Sequence, residues 1–159
     1  MESARPATSA DVERVAELAE QAVAELTATK GGAVWARREA RRQPYTESLC
    51  ADLVASDHHV VVGEILGAIV GYAVVRVEAL RDGGALGVID DIYVEPEARG
   101  IGLGEALMDA IVAWCRDQGC IGIDGLALPG NRETKNFFER FGLVARAIVV
   151  HRSLDGDGS

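Results

Sequence analysis

The sequence predicts a mixed α/β fold in which helices pack against one β-sheet within a single domain. Its 159 residues are 48% hydrophobic, which is enough apolar material for one ordinary core. Segments with helical spacing of apolar residues alternate with short runs of β-branched residues. One of these runs passes through a glycine-rich loop directly into a helix.

The first third of the chain predicts one strand and two helices. A short strand and a run of helix-capping residues at 8–11 precede apolar residues at helical spacing over 12–26. Glycines end that helix, and a second helical stretch is expected over 34–55, interrupted near Pro44. Four arginines of this stretch predict a solvated helix face, with a basic wall for an anionic ligand as the alternative. They are Arg37, Arg38, Arg41 and Arg42.

The rest of the chain predicts five further strands and two helices. β-branched residues mark a hairpin around the Leu66-Gly67 turn, and the next strand leads into the glycine-rich loop. The full order is β-α-α-β-β-β-α-β-α-β, forming a 1–154 domain, and residues 155–159 are expected to be a disordered tail. These later elements are strands at 58–65, 68–77 and 86–94, a helix at 104–119, a strand at 121–128, a helix at 134–141 and a strand at 144–154.

The composition argues against several classes of function. A net charge of −9 disfavours nonspecific binding to nucleic acid, because a phosphate backbone is bound through clustered Lys and Arg. No stretch reaches the ~18 apolar residues of a membrane span, and no signal-peptide pattern is present. Three cysteines without metal-ligand spacing favour a reducing compartment. We therefore expect a cytoplasmic protein that binds neither nucleic acid nor a membrane.

The most informative segment is residues 94–108, where a strand ends, three glycines follow at alternate positions and a helix begins. Glycines let backbone N–H groups approach an anion, and the helix N-terminus adds unsatisfied donors. Gly100, Gly102 and Gly104 fit neither the Gly-Lys-Ser/Thr of a P-loop nor the Gly-x-Gly-x-x-Gly of a dinucleotide fold. A pyrophosphate site is therefore predicted, with a tight turn that binds nothing as the alternative.

Two motifs resemble those of the Gcn5-related N-acetyltransferases, the GNAT family. The resemblance extends over nearly the whole chain. It implies a mixed, largely antiparallel sheet, flanked by helices on both faces and splayed between its fourth and fifth strands. The first motif, similar to motif A of the family, is Val94-x-Pro96-x-x-Arg99-Gly100-x-Gly102-x-Gly104-x-x-Leu107. The second is Asn131-x-x-Thr134-x-x-x-Phe138-x-x-x-Gly142-Leu143.

The resemblance also implies acetyl-CoA as co-substrate and no metal. The loop would hold the pyrophosphate, and the fourth strand would pair with pantetheine and donate a backbone N–H to the thioester carbonyl near Val94. Asn131 would hydrogen-bond the pantetheine arm, although it is also suited to cap its helix. The implied coenzyme-binding residues are Ile92, Tyr93, Val94, Arg99, Gly100, Ile101, Gly102, Leu103, Gly104, Asn131 and Phe138.

Acyl transfer to an amine needs a base, and carboxylates near the predicted site are the candidates. Asp90 and Asp91 lie in an apolar strand, where burial and mutual repulsion should raise one pKa. Because successive strand residues face opposite sides, only one of the two is expected to face the acceptor. Resemblance to spermidine/spermine acetyltransferases favours Asp90. Glu78 is a weaker candidate, and a structural role for both aspartates is the alternative.

Phe138 departs from the family pattern, because a tyrosine that protonates the leaving thiolate is common at this position. Phenylalanine cannot donate a proton, but a thiol of pKa ~8.5 leaves as thiolate at pH 7 at a cost of only about 2 kcal/mol. The predicted function is transfer of an acetyl group from CoA to a primary amine of a small molecule, a peptide N-terminus or a lysine. The alternative is a catalytically weak CoA-binding sensor. No motif identifies the acceptor, and the sequence is compatible with a monomer or a homodimer.

Overall fold

A computed structural model describes residues 1–155 and shows one five-stranded sheet with five α-helices. The mixed α/β prediction is confirmed. The strands are β1 (Glu2–Pro6), β2 (His58–Ile65), β3 (Ala68–Ala79), β4 (Ala85–Val94) and β5 (Ile123–Gly125). The helices are α1 (Val12–Thr27), α2 (Gly32–Arg38), α3 (Tyr45–Val54), α4 (Leu103–Asp117) and α5 (Arg132–Arg140).

The sheet opens between β4 and β5. The strands lie in chain order, and every neighbouring pair is antiparallel except β4 and β5, which are parallel and joined by the crossover helix α4. β5 pairs only with residues 87–89 of β4. The rest of β4, residues 90–94, therefore has no strand beside it on that edge within residues 1–155. The splay implied by the GNAT resemblance is present.

Apolar side chains alternate along the central strands and pack on both faces of the sheet. The face covered by α1 and α3, here the α1–α3 face, carries Val60, Val62, Tyr72 and Val74. The face covered by α4 and α5, here the α4–α5 face, carries Val61, Ala73, Val75 and Ile89. Both faces of the central strands are therefore buried, and the open edge of β4 is where a ligand can reach the sheet.

The helical stretch predicted at 34–55 forms two helices, α2 and α3. The predicted break near Pro44 is confirmed, because Pro44 lies between them. The predicted strand at 121–128 is shorter than expected, since β5 has three residues. The predicted last strand at 144–154 is wrong, because no strand forms there and its large apolar side chains are 77–90% exposed. A strand needs a neighbouring strand to bond its backbone N–H and C=O groups, and the three residues of β5 offer few such groups. The predicted tail lies outside the described residues except for Asp155.

No helix within residues 1–155 is long and apolar enough to cross a membrane.

Candidate active site

A cleft of about 660 Å³ lies beside the unpaired half of β4. Its walls are the end of α1, the end of β4, the loop before α4 and the start of α5. Among the residues predicted to bind coenzyme, three do not line it: Ile101, Leu103 and Phe138. Those that do are Ile92, Tyr93, Val94, Arg99, Gly100, Gly102, Gly104 and Asn131.

The loop before α4 presents backbone donors to the cleft. Gly100 and Gly102 have φ of 85° and 90°, a left-handed conformation that glycine adopts without strain. Gly102 caps α4, and its carbonyl accepts the first helical bond, from the N–H of Ala106 (3.1 Å). The N–H groups of residues 103–105 therefore lack helical acceptors, at the positive end of the helix dipole. This arrangement is suited to bind a phosphate-type anion.

Leu103 anchors the loop to the sheet. It is fully buried, and a Cβ atom at Gly63 of β2 or Gly71 of β3 would lie 2.9 or 3.2 Å from its side chain. The two glycines therefore let α4 begin close against the sheet. Ile101 is half-exposed and does not line the cleft. Both residues were predicted to bind the coenzyme, but neither of them lines the cleft.

Gly102→Val is expected to weaken CoA binding about tenfold while the protein stays folded. A β-branched side chain would block close approach of phosphates to the backbone, and its Cβ would lie 3.0 Å from Glu2 Oε1. Calorimetric titration with CoA measures the change. Gly67→Val in the β2–β3 turn is the matched control, because Gly67 has a φ of 82° and nothing within 4 Å. Unchanged CoA affinity in folded Gly102→Val would remove the site from this loop.

Arg99 lies across the mouth of the cleft. Its Nε donates to the carbonyl of Val94 (2.8 Å), and its guanidinium lies 5.5 Å from the centre of the Tyr93 ring. The terminal nitrogens pair with Glu25 of α1 (2.9 Å) and Glu133 of α5 (3.5 Å). Glu25 and Glu133 therefore neutralise the positive charge of Arg99, the residue that the family resemblance assigns to binding the pyrophosphate.

Glu25→Gln is expected to strengthen CoA binding by a few-fold, because it frees Arg99 and removes a negative charge from the cleft. The effect is small since both side chains are more than one-third exposed and screened by water. Equilibrium titration with CoA at low salt measures it. Glu20→Gln is the control, an exposed carboxylate on the same helix. Weaker binding in Glu25→Gln would mean that Glu25 positions Arg99 for the ligand instead of competing for it.

Helix α5 supplies the last wall of the cleft. Its cap is Asn131, whose Oδ1 accepts a hydrogen bond from the backbone N–H of Thr134 (3.3 Å). The capping role is confirmed, and it leaves the amide NH₂ group of this cleft-lining residue available as a donor. Phe137 lines the cleft, and its ring lies so close to α4 that a Cβ atom at Gly104 would be 2.7 Å away. The sequence analysis missed Phe137, although it falls at helical spacing from Thr134.

Phe138 lies in the apolar cluster behind the cleft. It is buried on the α4–α5 face, with its ring against Gly125 of β5, where a Cβ atom would lie 2.7 Å away. Ile92, which does line the cleft, packs on the same cluster. Phe138, which was predicted to bind the coenzyme, therefore lies behind the cleft wall.

Asp91 is held in a buried ionic network on the α1–α3 face. Both carboxylate oxygens accept from Arg41 (2.9 and 2.8 Å), and Oδ2 also accepts from the Tyr72 hydroxyl (2.7 Å). Arg41 also pairs with Asp52 of α3 (2.8 Å), and its side chain is only 5% exposed. Burial opposes the charge of Arg41, but its bonds to the two aspartates outweigh burial and raise its pKa. These contacts favour the structural alternative for Asp91, and Arg41 is buried instead of lying on the solvated helix face that the sequence predicted.

Asp90 is the extra residue of a β-bulge. Val74 of β3 pairs with Asp91 and Val75 pairs with Ile89, so Asp90 has no partner in the register. Its carboxylate accepts from Arg76 Nε (3.0 Å) and is 31% exposed. Burial raises the pKa of Asp90, and Arg76 opposes that shift. An accessible carboxylate with a raised pKa is suited to accept a proton.

The bulge changes which way the two aspartates face. Asp90 lies 4.0 Å from His58 Nε2, and the same ring nitrogen lies 3.5 Å from Asp52 of α3. Asp90 is therefore on the α1–α3 face, as is Asp91. The assumption of regular alternation along β4 is therefore wrong at this point, and which of the two aspartates faces the acceptor stays a prediction. Nothing in the local sequence marks the bulge.

Glu78 is half-exposed near the end of β3 and pairs with Arg76 (3.2 Å). In the sheet register it lies opposite Leu86, four residues before Asp90 on β4. At ~3.3 Å for each residue, Glu78 is about 13 Å farther from the cleft than Asp90 along the strand. Asp90 is only two residues from Ile92 in the cleft wall. The geometry therefore favours Asp90 over Glu78.

Comparisons with known proteins agree with this geometry. The profile of the Acetyltransferase (GNAT) family matches residues 18–143. A glucosamine 6-phosphate N-acetyltransferase from Trypanosoma brucei brucei is 35% identical over 81 residues, covering 50% of this chain and 53% of that protein. An aminoglycoside N(6')-acetyltransferase type 1 from Stenotrophomonas maltophilia is 40% identical over 58 residues, covering 34% of this chain and 38% of that protein. The matches span about half of the first relative and less than half of the second.

A solved structure gives a likeness over the whole fold. A protein from Clostridium acetobutylicum described as a predicted acetyltransferase, solved with acetyl-CoA, aligns with a TM-score of 0.73 over 97% of this chain and 97% of that chain. The sequence identity is 16%, so this likeness shows the fold alone.

Proposed function

Because the chain belongs to the GNAT family of acetyltransferases, we propose that it transfers an acetyl group from acetyl-CoA to a primary amine. The observation that carries this proposal is the junction of two features in one cleft. The glycine loop and the start of α4 present anion-binding N–H groups, and the unpaired half of β4 ends beside them. An anionic head and an amide-bearing arm can therefore bind side by side.

The residues of the cleft fit acetyl-CoA. Pyrophosphate would lie on the loop of Gly100 and Gly102, with Arg99 released from its two carboxylates. The backbone groups of residues 90–94 that point away from β3, apart from the Val94 carbonyl bonded to Arg99, would pair with the amides of pantetheine, and the NH₂ group of Asn131 can donate to them. The structure of the Clostridium acetobutylicum neighbour with acetyl-CoA supports this choice of co-substrate.

The reaction proceeds by direct attack of the amine on the thioester carbonyl. A C–N bond forms and the C–S bond breaks, while the amine proton passes to Asp90, directly or through a water. A backbone N–H near Val94 stabilises the negative charge that develops on the carbonyl oxygen. The coenzyme leaves as a thiolate, because Phe138 lies behind the cleft wall and has no proton to give. That departure costs about 2 kcal/mol at pH 7, so it slows turnover without preventing it.

Acetyl-CoA is expected to stabilise the fold more than NAD or ATP does. Ligand at 100-fold above Kd adds about 2.7 kcal/mol to the free energy of unfolding, which a thermal melt detects. NAD and ATP share the pyrophosphate but have no pantetheine arm to pair with β4. A shift in Tm with NAD and none with CoA would contradict the assignment of this cleft.

Turnover separates an enzyme from the alternative, a CoA-binding sensor that Phe138 suggests. The acceptor panel includes aminoglycosides and amino-sugar phosphates, on which the named relatives act, together with polyamines and peptides. Release of free CoA in a thiol assay identifies the acceptor. Tight CoA binding with no thiol released by any amine would favour the sensor.

A further inference from the structure

His58 is the first residue of β2, and its imidazole ring lies among acidic side chains. Its Nδ1 is 2.7 Å from Asp57 Oδ1. Its Nε2 is 3.5 Å from Asp52 Oδ1 of α3 and 4.0 Å from Asp90 Oδ2 of β4. The side chain is 19% exposed, so the ring can exchange a proton with water. The reaction proposed above gives this ring no role.

The bond to Asp57 determines which ring nitrogen of His58 exchanges a proton. An ionised carboxylate only accepts hydrogen bonds, so Nδ1 donates to Asp57, and this bond lowers the pKa of Asp57. In the neutral ring the proton is therefore on Nδ1, and Nε2 has a free lone pair. Nε2 is the nitrogen that faces Asp90. The ring is thus oriented to take a proton from the carboxyl group of Asp90.

The sheet holds Asp90 in the matching orientation. His58 pairs with Arg76 of β3 in the register, and the bulge in β4 puts Asp90 on the same face of the sheet. Arg76 Nε donates to Asp90 Oδ1 (3.0 Å), which leaves Oδ2 as the oxygen nearer His58. Regular alternation from Asp91 would have put Asp90 on the α4–α5 face, away from the ring. The bulge therefore creates the contact.

Arginines limit the negative charge around the ring. Asp52 pairs with Arg41 (2.8 Å). Asp90 pairs with Arg76 (3.0 Å). Two of the three carboxylates around the ring are therefore already neutralised by a cation. Imidazole is the side chain whose charge changes nearest physiological pH, which suits it to take up and release a proton in each turnover.

We propose that His58 takes the amine proton on from Asp90, so that the two residues together accept the proton of the reaction. The inference rests on the transfer to an amine proposed above. When the amine attacks the thioester, its N–H bond breaks and an O–H bond forms at Asp90 Oδ2. That O–H bond then breaks as an N–H bond forms at His58 Nε2, and the imidazolium releases the proton to water before the next turnover. His58 does not touch the substrate, so it is a positioning residue that acts through Asp90.

The distance of 4.0 Å between Nε2 and Oδ2 is compatible with this transfer. Catalytic hydrogen bonds are often long in a protein without substrate and tighten in the complex. A shift of about 1 Å brings the two atoms within hydrogen-bond distance. An ammonium loses its proton less unfavourably to imidazole than to a carboxylate, because the ordinary pKa values of the two side chains are ~6.5 and ~3.9. More of the bound amine is then neutral when it attacks.

Steady-state kinetics of His58→Gln over a range of pH tests the inference with an amine that the wild type acetylates. Glutamine keeps a polar group near Nε2 but takes up no proton. We expect kcat to fall about tenfold, less than for Asp90→Asn because the carboxylate remains, with KM for the amine and the affinity for CoA nearly unchanged. On the acid side, log kcat should fall with a slope approaching two in the wild type, because Asp90 and His58 must both be unprotonated. The slope should be one in the variant.

Asp57→Asn tests the same transfer without replacing the ring. Asp57 is 61% exposed before the start of β2, so the variant should stay folded. Without the carboxylate the ring proton is no longer fixed on Nδ1, and kcat should fall roughly twofold to fivefold, as for the loss of an exposed ion pair. An Asp57→Asn protein with wild-type kcat overturns the orientation of the ring and the inference with it.

His59→Gln is the matched control, because His59 is the next residue of β2 and its ring stacks on Trp114 of α4 (5.4 Å). This variant should keep the kcat and the slope of the wild type. Wild-type kcat in His58→Gln overturns the inference and leaves the proposed function intact. A lower kcat with an unchanged slope also overturns it, since His58 would then only hold Asp90 in place. No turnover of any amine by the wild type overturns the proposed function, and the inference with it.

Discussion

Asp90→Asn is expected to lower kcat/KM about 100-fold or more at neutral pH while leaving the affinity for CoA nearly unchanged. The carboxylate is the accessible member of the pair on β4, and general-base assistance is worth 10²–10⁴-fold. The anion-binding loop lies beyond the far end of the strand, so the coenzyme site should not respond. Steady-state kinetics with the identified amine, together with calorimetric titration of CoA, measures both quantities.

The pH dependence of this variant also tests the assignment of Asp90 as the base. Asp90 accepts a proton only when ionised, and burial raises its pKa above the ordinary value. Wild-type activity should therefore fall as the pH drops through that raised pKa. At high pH the amine loses its own proton without help, so the gap between wild type and Asp90→Asn should narrow. A gap that stays constant with pH would mean that Asp90 binds the acceptor without acting as a base.

Two neighbouring carboxylates serve as controls for the base assignment. Glu78→Gln removes a half-exposed carboxylate that shares Arg76 with Asp90, and it should change kcat/KM only slightly. Asp91→Asn tests the structural role and should lower stability more than activity per folded molecule. If Asp90→Asn behaves like wild type across pH while Asp91→Asn is folded and inactive, the base is Asp91. If both variants are fully active, the amine arrives already deprotonated.

The cleft was predictable because its determinants are local in sequence. The glycines of the loop, the end of β4 and the start of α4 occupy one continuous segment, and each has a direct effect on the backbone. Positive φ at Gly100 and Gly102 and a helix cap at Asn131 follow from the residue types alone. The family resemblance added acetyl-CoA as the expected ligand, which these backbone features by themselves leave open.

The environment of the paired aspartates was not predictable, because it depends on contacts between distant segments. Arg41 lies 50 residues from Asp91 along the chain, and its neighbours Arg38 and Arg42 are exposed. Only the folded packing of α3 on the sheet distinguishes Arg41 from them. The bulge at Asp90 is likewise set by the pairing of β3 with β4.

The last predicted strand shows the opposite case, in which a correct local preference has no partner. Residues 144–150 have strand-forming composition, but a strand exists only when its backbone groups are bonded. Within residues 1–155 that bonding is missing. Similarly, helical spacing could assign Phe137 and Phe138 to one helix without telling which of them faces the cleft.

Arg41→Met is expected to destabilise the protein by about 3–5 kcal/mol, the usual cost of removing one partner from a buried ion pair. The change leaves the Asp91 carboxylate buried with only the Tyr72 hydroxyl as a donor, while burial opposes its charge. For a chain of this length, such a loss lowers Tm by roughly 10–15 °C. Urea unfolding followed by circular dichroism measures the free energy of unfolding.

Arg42→Met is the matched control, because Arg42 is the exposed neighbour and its removal should change the free energy of unfolding by less than about 0.5 kcal/mol. The double variant Arg41→Met with Asp91→Asn should regain part of the loss, since no buried carboxylate is then left without its cation. Equal stabilities for Arg41→Met and Arg42→Met would contradict the buried network. The expected partial recovery in the double variant would show that Arg41 stabilises the fold mainly by neutralising the buried charge of Asp91.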